Sequence, residues 1–357
     1  MISLIVMIVA TYPTLKLLQM IQEAKMIRSI ESSQLVSPVI ISLNTSKIKE
    51  QEVKILKKLN PFGVILYKQN IKSYQQIKKF TKDIKSVLHD REVIVAIDQE
   101  GGLVNRLSAI LPESQSKKLL KKASYYAKLA KNNLDQAKKE IYQDSKYTAK
   151  ILNDLGINLN LAPMVDISKS IESGPIAHRV YGEDPRLVIA LAESFIKGMQ
   201  EEGVKITLKH APGIGSGVAD SHKSDVIINK NKKDIIAEDL LPFKKLAKIS
   251  DFVLASHATF TKIDNKPTTM SRKTIDFFKK HTDYKGIIIS DALNMKAVTK
   301  EHGSDRDSIE KYQNISEKIF NSGVDIIISN CMFLKCELGV LQAAHKTQAI
   351  KRINKKL

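Results

Sequence analysis

The chain has 357 residues, of which 43% are hydrophobic and 27% charged, and its formal net charge at pH 7 is +19. This composition is ordinary for a soluble globular protein. No low-complexity or Pro-rich stretch marks a linker, which argues against several domains joined by flexible segments. We therefore expect one domain with a single large core.

The basic charge raises the question of nucleic-acid binding, because Lys and Arg neutralise phosphates. Of the 57 basic residues only eight are Arg, and the Lys residues are scattered along helical segments. Basic pairs such as Lys117-Lys118 and Lys121-Lys122 lack interleaved aromatic residues, and the chain has no Trp. We therefore interpret the charge as solvated helix faces and expect no nucleic-acid partner.

Two features of the sequence bear on the cellular location of the protein. Cys331 and Cys336 have no further Cys with which to form a zinc pattern, and we expect reduced thiols in a reducing compartment. Residues 2 to 10 form a nine-residue apolar run that is too short to span a bilayer and has no basic residue before it. We expect residues 1–35 to be an extension before a folded domain at 36–357, without stable membrane association. The alternatives are that these residues are a signal peptide, that they are an anchor, or that the start was assigned upstream of a true start at Met26.

Eight short β-branched runs predict strands. They lie at 36–43, 63–67, 92–98, 157–167, 204–210, 251–257, 286–292 and 324–330. Continuous apolar runs suit strands that are buried on both faces, as in parallel sheets, and the intervals carry helical periodicity. The pattern predicts an α/β fold, a single (β/α)8 TIM barrel. The alternative is a doubly wound open sheet, but no Gly-rich phosphate-binding sequence follows the first strand.

Helix signals fill the intervals between these runs. Ser73 and Gln76 form a capping-box pattern that begins a helix after the second run. Its apolar face comprises Ile77, Phe80, Ile84, Val87 and Leu88. Asp184-Pro185 begins another helix after the fourth run, and Gly203 can end it. The long interval 111–156 is expected to hold additional helices.

The predicted strands end in polar residues. These are Asp98 and Glu100, Asp166, Lys209 and His210, His257, and Asp291. Core positions rarely hold such residues, because burying an unpaired charge is costly. A single case would be read as a structural salt bridge, but five strand ends predict a polar pocket at the C-terminal face of the barrel, where TIM-barrel enzymes place their active sites.

The residues at this face limit the chemistry. There is no Cys nucleophile and no Ser nucleophile elbow, and no H-x-x-x-H or H-E-x-x-H pattern places metal ligands, so we expect neither a metal nor another cofactor. A carboxylate nucleophile together with a proton donor is typical of glycosidases.

Four segments carry a family resemblance: AIDQEGGLVNRL, AHRVYGEDP, KHAPGIGSGVADSHK and SDALNMKA, in this order. They resemble the signature segments of bacterial β-N-acetylglucosaminidases of glycoside hydrolase family 3, and the similarity runs over residues 36–330. The resemblance implies a single-domain barrel that removes terminal N-acetylglucosamine, chiefly from 1,6-anhydro-muropeptides during peptidoglycan recycling in the cytoplasm. The partner is then a small carbohydrate, and we expect a monomer.

The resemblance also implies the catalytic residues. Asp291 matches the nucleophile, which forms a covalent glycosyl-enzyme, and Asp220 with His222 matches an acid/base pair on a mobile loop. The loop also contains Gly213, Gly215 and Gly217. These glycines are expected to let the loop bring His222 over the sugar, while Asp220 fixes its tautomer. The alternative for this segment is an ordinary turn.

By the same resemblance, five residues bind the sugar. They are Asp98, Arg106, Arg179, Lys209 and His210. Charge-assisted hydrogen bonds to sugar hydroxyls suit these side chains. Arg179 has a structural alternative, an ion pair with Glu183 or Asp184. His257 and Asp166 match positions that line the pocket, and no role is assigned to them.

The chain departs from the family pattern at Leu103, where Arg is common, and at Ala211 and Ile214, where an aromatic residue and a His are usual. These departures bear on substrate preference and rate more than on reaction type. Three other functions stay open: a β-glucosidase of the same family, a glycoside phosphorylase, and a sugar-binding protein that has lost turnover.

Overall fold

The computed structural model describes residues 35–88, 92–174, 176–217, 226–293, 308–330 and 334–357. The predicted extension, apart from residue 35, lies outside the described residues. So do Asp220, His222 and Cys331.

The described chain forms a parallel sheet of eight strands with helices between them. The strands are β1 Ser37–Ser42, β2 Pro61–Leu66, β3 Ile94–Ile97, β4 Leu159–Asn160, β5 Lys205–Ala211, β7 Phe252–Ala255, β9 Ile287–Ser290 and β10 Ile327–Ser329. Their order is β10-β1-β2-β3-β4-β5-β7-β9, and a parallel bridge between Ile289 and Ile326 joins the two ends. The sheet therefore closes into a barrel, as the sequence predicts.

The helices surround this sheet. They are α1 Glu50–Leu59, α2 Tyr74–Val87, α3 Glu113–Ser116, α4 Ala123–Asn132, α5 Leu134–Asp154, α6 Pro185–Glu201, α7 Lys232–Asp234, α8 Leu240–Leu246, α9 Arg272–Thr282, α10 Ile309–Ser322, α11 Leu334–Lys346 and α12 Ala349–Asn354. A π-helical turn, Ile235–Asp239, joins α7 to α8. The interval 111–156 holds three of these helices, so the prediction of additional helices there is confirmed.

Alternation along the strands divides the core into an inner and an outer layer. In β3, Ile94 and Ala96 belong to the inner cluster, whereas Val95 and Ile97 pack in the outer cluster against the helices. Successive side chains of a strand point to opposite faces, which explains the division. Side chains therefore fill the barrel interior, and a ligand site is left to its ends.

The predicted helix ends are largely confirmed. Ser73 caps α2 by accepting a hydrogen bond from the Gln76 main-chain N–H at 3.3 Å. The Gln76 side chain accepts from the main chain of Lys72 rather than from Ser73, so the capping box is only half formed. Asp184 caps α6, and Gly203 follows the helix with a φ of 74°.

The fourth strand is much shorter than its apolar run. The regular strand ends at Asn160, although the Leu161 N–H still donates to the Ile97 oxygen, and Pro163 has no main-chain N–H with which to continue toward Gln99. The Asn160 side chain takes over the pairing with Gln99, accepting from its N–H at 3.0 Å and donating to its C=O at 2.9 Å. A separate two-stranded sheet of β6 Ile227–Ile228 and β8 Thr259–Phe260 was not predicted.

The expectation about cysteines is wrong for Cys336, which is disulfide-bonded. No helix within the described ranges is long and apolar enough to cross a membrane.

Candidate active site

A cavity of about 230 Å³ opens at the C-terminal ends of the barrel strands. Its floor consists of the inner-layer residues Ile65, Leu161, Leu254 and Ile328. Its polar lining comprises Tyr67, Asp98, Glu100, Arg106, Arg179, Lys209, His210, Asp291 and Asn330. All five predicted sugar-binding residues and the predicted nucleophile therefore line one cavity.

A row of alternating charges forms one wall. Asp98 follows β3, and its Oδ1 lies 2.8 Å from Nζ of Lys209 at the end of β5. The same Nζ lies 2.6 Å from Oε1 of Glu100. Arg179 binds Glu100 in bidentate fashion, with both nitrogen to oxygen distances at 2.8 Å. The row thus alternates acid, base, acid and base, and we name these four residues the charge row.

Mutual pairing keeps Glu100, Lys209 and Arg179 of the charge row ionised. Burial favours the neutral form of Glu100, but Lys209 and Arg179 hold the pKa of its carboxyl well below the usual range. Burial lowers the pKa of Lys209, yet Asp98 and Glu100 raise it on balance. The cavity therefore presents fixed charges, and planar, bidentate pairing makes the Arg179 guanidinium hard to replace.

The structural alternative for Arg179, an ion pair with a nearby acidic residue of its own loop, is wrong. Its ion-pair partner is Glu100 rather than Glu183 or Asp184, and Asp184 instead caps α6. The sequence pattern predicts Glu100 only as part of a polar strand end and not as a site residue. Its alternation with Asp98 places both on one face of the chain, a signal that could have identified it.

Glycine lets the loop after β3 approach its neighbours closely. Gly101 has a φ of 95°, and a Cβ there would lie 2.4 Å from the main-chain oxygen of Lys121. Any other residue would separate the loop from the segment before α4. Glycine at this position thus helps to place Asp98 and Glu100.

Asp166 holds the end of β5. Its Oδ2 accepts hydrogen bonds from the main-chain N–H of His210 at 3.0 Å and from the His210 ring at Nδ1 at 2.8 Å. Its Oδ1 accepts from the N–H of Ile214 at 2.6 Å. Because a carboxylate only accepts, Nδ1 of His210 carries a proton and Nε2 is left for the cavity. The residue to which no role was assigned therefore orients a cavity residue.

Asp291 follows β9 and is ionised. Burial opposes its charge, but His257, His210 and the N–H of Ala292 lower the pKa of its carboxyl on balance. The Ala292 N–H donates to Asp291 Oδ1 at 2.8 Å. An ionised carboxylate at a cavity wall can attack an electrophilic carbon.

His257 lies next to Asp291 and contacts the turn that carries it. Burial lowers its pKa, opposed by Asp291. Its Nε2 lies 3.1 Å from the main-chain oxygen of Ala292, which only accepts, so Nε2–H is the donor. Its Nδ1 forms a hydrogen bond with the Thr269 hydroxyl at 2.6 Å. His257 thus fixes the turn that carries Asp291 and does not line the cavity itself.

Arg106 and two residues that the sequence interpretation missed complete the lining. Nε of Arg106 is buried and has no hydrogen-bond partner among the described residues, so a donor is available to a ligand. Tyr67 and Asn330 follow β2 and β10. The sequence pattern includes both in apolar strand runs, although their place at strand ends matches that of the predicted residues.

The segment with the predicted acid/base pair begins and ends at neighbouring points. A Cβ on Gly217 would lie 2.5 Å from Cγ1 of Val226, although eight residues separate them. A Cβ on Gly215 would lie 1.8 Å from the main-chain oxygen of Ile167. Close packing therefore accounts for both glycines, and loop movement stays a prediction.

The departures from the family pattern lie outside the cavity lining. Ala211 and Ile214 are buried in the outer core. The side chain of Leu103 is exposed.

Comparison with known proteins agrees with this geometry. Residues 16–355 match the model of the glycosyl hydrolase family 3 N terminal domain. The chain is 30% identical over 297 residues to a beta-hexosaminidase of Actinobacillus pleuropneumoniae serotype 3, covering 81% of this chain and 80% of that protein. It is 28% identical over 295 residues to a beta-hexosaminidase of Tolumonas auensis, covering 82% of each.

The fold is also similar to a solved structure. NagZ from Neisseria gonorrhoeae, crystallised in complex with N-trifluoroacetyl-D-glucosamine, superposes with a TM-score of 0.73 at 23% identity, covering 90% of this chain and 95% of that chain. This likeness supports the barrel, and the family match with the curated relatives supports the enzyme class. The chain is therefore a glycoside hydrolase that belongs to glycosyl hydrolase family 3.

Proposed function

We propose that the protein is a retaining exo-β-N-acetylglucosaminidase that removes terminal N-acetylglucosamine from peptidoglycan fragments such as 1,6-anhydro-muropeptides. The observation that carries the proposal is the ionised Asp291 in one cavity with the charge row and Arg106. The similar proteins named beta-hexosaminidase support the acetamido sugar as substrate.

In the proposed mechanism, the charge row, Arg106 and His210 bind the sugar through its hydroxyls. A carboxylate oxygen of Asp291 forms a bond to the anomeric carbon, while the bond from that carbon to the leaving oxygen breaks. His222 donates a proton to the leaving oxygen. Water then attacks the glycosyl-enzyme as His222 takes its proton, so that Asp291 is released and the configuration is retained.

The roles of Asp220 and His222 rest on the family resemblance. Gly217 and Val226, which flank their segment, lie close together, and the segment itself lies outside the described residues. Asp220 would hold one tautomer of His222 and favour its protonated form.

The deciding experiment is hydrolysis of 4-nitrophenyl N-acetyl-β-D-glucosaminide by the full chain, with the corresponding glucoside as a second substrate. Release from the acetamido sugar, lost in Asp291→Asn and strongly slowed in His222→Ala, would support the proposal. Asp276→Asn, on an exposed face of α9, is the matched control and should retain full activity. Full turnover by Asp291→Asn would overturn the assignment of the nucleophile.

The three alternative functions predict different results in this experiment. Faster release from the glucoside would indicate a β-glucosidase, and a phosphate-dependent rate that yields sugar 1-phosphate would indicate phosphorolysis. Binding of N-acetylglucosamine without hydrolysis of either glycoside would indicate loss of turnover. Release of N-acetylglucosamine from 1,6-anhydro-muropeptides tests the natural substrate, and NMR of the first-formed anomer tests retention.

The cytoplasmic location stays a separate prediction. The disulfide bond at Cys336 counts against it, because disulfides are rare in the cytosol. Titration of free thiols in unfolded protein, purified from its own cells with thiols blocked at lysis, tests this point. Two free thiols per chain would favour the reducing compartment.

A further inference from the structure

We propose that Tyr67 contacts the substrate, with its hydroxyl donating a hydrogen bond to the sugar bound in the cavity. This inference rests on the proposed function, because it assumes that a sugar occupies the space between the charge row and Asp291. Neither the sequence motifs nor the family resemblance assigns a role to Tyr67.

The position of Tyr67 is fixed by its neighbours. It follows β2 two residues after Ile65, and both residues line the cavity, as the alternation along an extended chain requires. Its main-chain N–H donates to Oδ1 of Asn70 at 2.8 Å. The buried Asn70 in turn donates to the main-chain oxygens of Leu43 and Thr45 at 2.8 and 2.7 Å. The aromatic ring packs against the inner core layer.

The phenol of Tyr67 keeps its proton. Burial raises its pKa well above the usual range, the carboxylates of Asp98 and Asp291 raise it further, and Arg106 opposes them. The hydroxyl is therefore a hydrogen-bond donor within electrostatic reach of the predicted nucleophile and of one sugar-binding carboxylate.

The described residues do not use this donor themselves. Within the described part of the chain, no main-chain or side-chain group hydrogen bonds to the Tyr67 hydroxyl, although Tyr67 is more than half buried. Buried hydroxyls are normally paired, and Phe would fill the same apolar space without the cost of removing a hydroxyl from water. A hydroxyl at this wall of the cavity is thus explained by a ligand oxygen.

The test compares Tyr67→Phe with wild type on 4-nitrophenyl N-acetyl-β-D-glucosaminide and measures the binding of N-acetylglucosamine by calorimetry. One hydrogen bond between uncharged groups predicts a loss of about five- to tenfold in kcat/KM and a weaker Kd for the sugar. The thermal unfolding midpoint should stay within a few degrees of wild type, because the ring is retained.

Tyr142→Phe is the matched control. Its hydroxyl donates to Oε2 of Glu201 at 2.6 Å on the outer surface between α5 and α6, so kcat/KM should not change. Values of kcat/KM and Kd for Tyr67→Phe within twofold of wild type would overturn the contact. If wild type binds the sugar but hydrolyses nothing, the proposed function fails and the calorimetric comparison still decides the contact. If wild type neither binds nor hydrolyses, both proposals fall.

Discussion

Asp166 accepts two hydrogen bonds from His210 on a single carboxylate oxygen, one from the main chain at 3.0 Å and one from the ring at 2.8 Å. The other oxygen accepts from the main chain of Ile214. Asp166 therefore fixes both the direction of a cavity side chain and the first residues of the loop after β5.

Asp166→Asn should lower kcat/KM at least tenfold. An amide has one oxygen for three donors, so a donor is left unpaired and the ring of His210 loses its fixed orientation. Because His210 lowers the pKa of Asp291, its displacement should move the acidic limb of the pH profile to higher pH, which a purely structural loss would not produce. Asp276→Asn is the control, and an unchanged pH profile for Asp166→Asn would contradict this role.

Glu100→Gln should lower the free energy of unfolding by about 3–5 kcal/mol, because Lys209 and Arg179 lose the charge that balances them in a buried site. Urea unfolding followed by circular dichroism measures the change. Glu113→Gln removes the exposed ion-pair partner of Lys117, four residues away, and should change the free energy of unfolding by less than about 0.5 kcal/mol. Equal effects of the two substitutions would show that the charge row is not a coupled buried unit.

Arg179→Lys should reduce kcat/KM by about tenfold even though the charge is kept. Lysine cannot make the two parallel hydrogen bonds to Glu100 or present the remaining guanidinium donors to a sugar. Steady-state kinetics on the aryl acetamido glycoside measure the loss. Arg272→Lys, which alters an exposed pair with Asp276, is the control and should have the kcat/KM of wild type. The same kcat/KM for Arg179→Lys would show that charge alone matters.

Glu337 predicts a pH dependence of stability. Burial raises its pKa to about 8, against a hydrogen bond from Ser329, whereas the ordinary value is 4.5. Between these pH values the folded protein keeps the proton and the unfolded chain releases it. The contribution of Glu337 to stability is thus fully present below pH 4.5 and is lost as the pH rises to about 8.

Glu337→Gln should remove this fall in the free energy of unfolding, which for one proton is about 1.4 kcal/mol per pH unit. The thermal midpoint of the variant should exceed that of wild type at pH 8 and approach it in mild acid. Glu310→Gln, at an exposed position on α10, should follow the wild-type curve. Parallel curves for Glu337→Gln and wild type would show that Glu337 does not titrate in this range.

The sequence predicts the barrel well because a strand buried on both faces has a strong signal. The eight apolar runs correspond to the eight strands of the sheet. The strand predicted at 157–167 is too long, since apolar composition does not report the loss of the main-chain donor at Pro163. The pair Ile227–Ile228 and Thr259–Phe260 is too short to carry any periodicity.

The site is predicted in part for a similar reason. Charged residues at strand ends stand out against apolar runs, and Asp98, Lys209 and Asp291 do line one cavity. Tyr67 does not stand out, because an aromatic residue suits a strand equally well. The partner of Arg179 depends on contact between two loops that are 79 positions apart, which no local pattern encodes.

The charge row is assembled without a ligand, and its side chains hold one another in place. A site made of free Lys and Arg side chains would lose rotational freedom on binding, at about 0.5–1.5 kcal/mol for each side chain that becomes fixed. Here Lys209 and Arg179 lose that freedom when the chain folds. Sugar binding therefore requires little further ordering of the wall, and the directions of its hydrogen bonds are set by the strands rather than by the sugar.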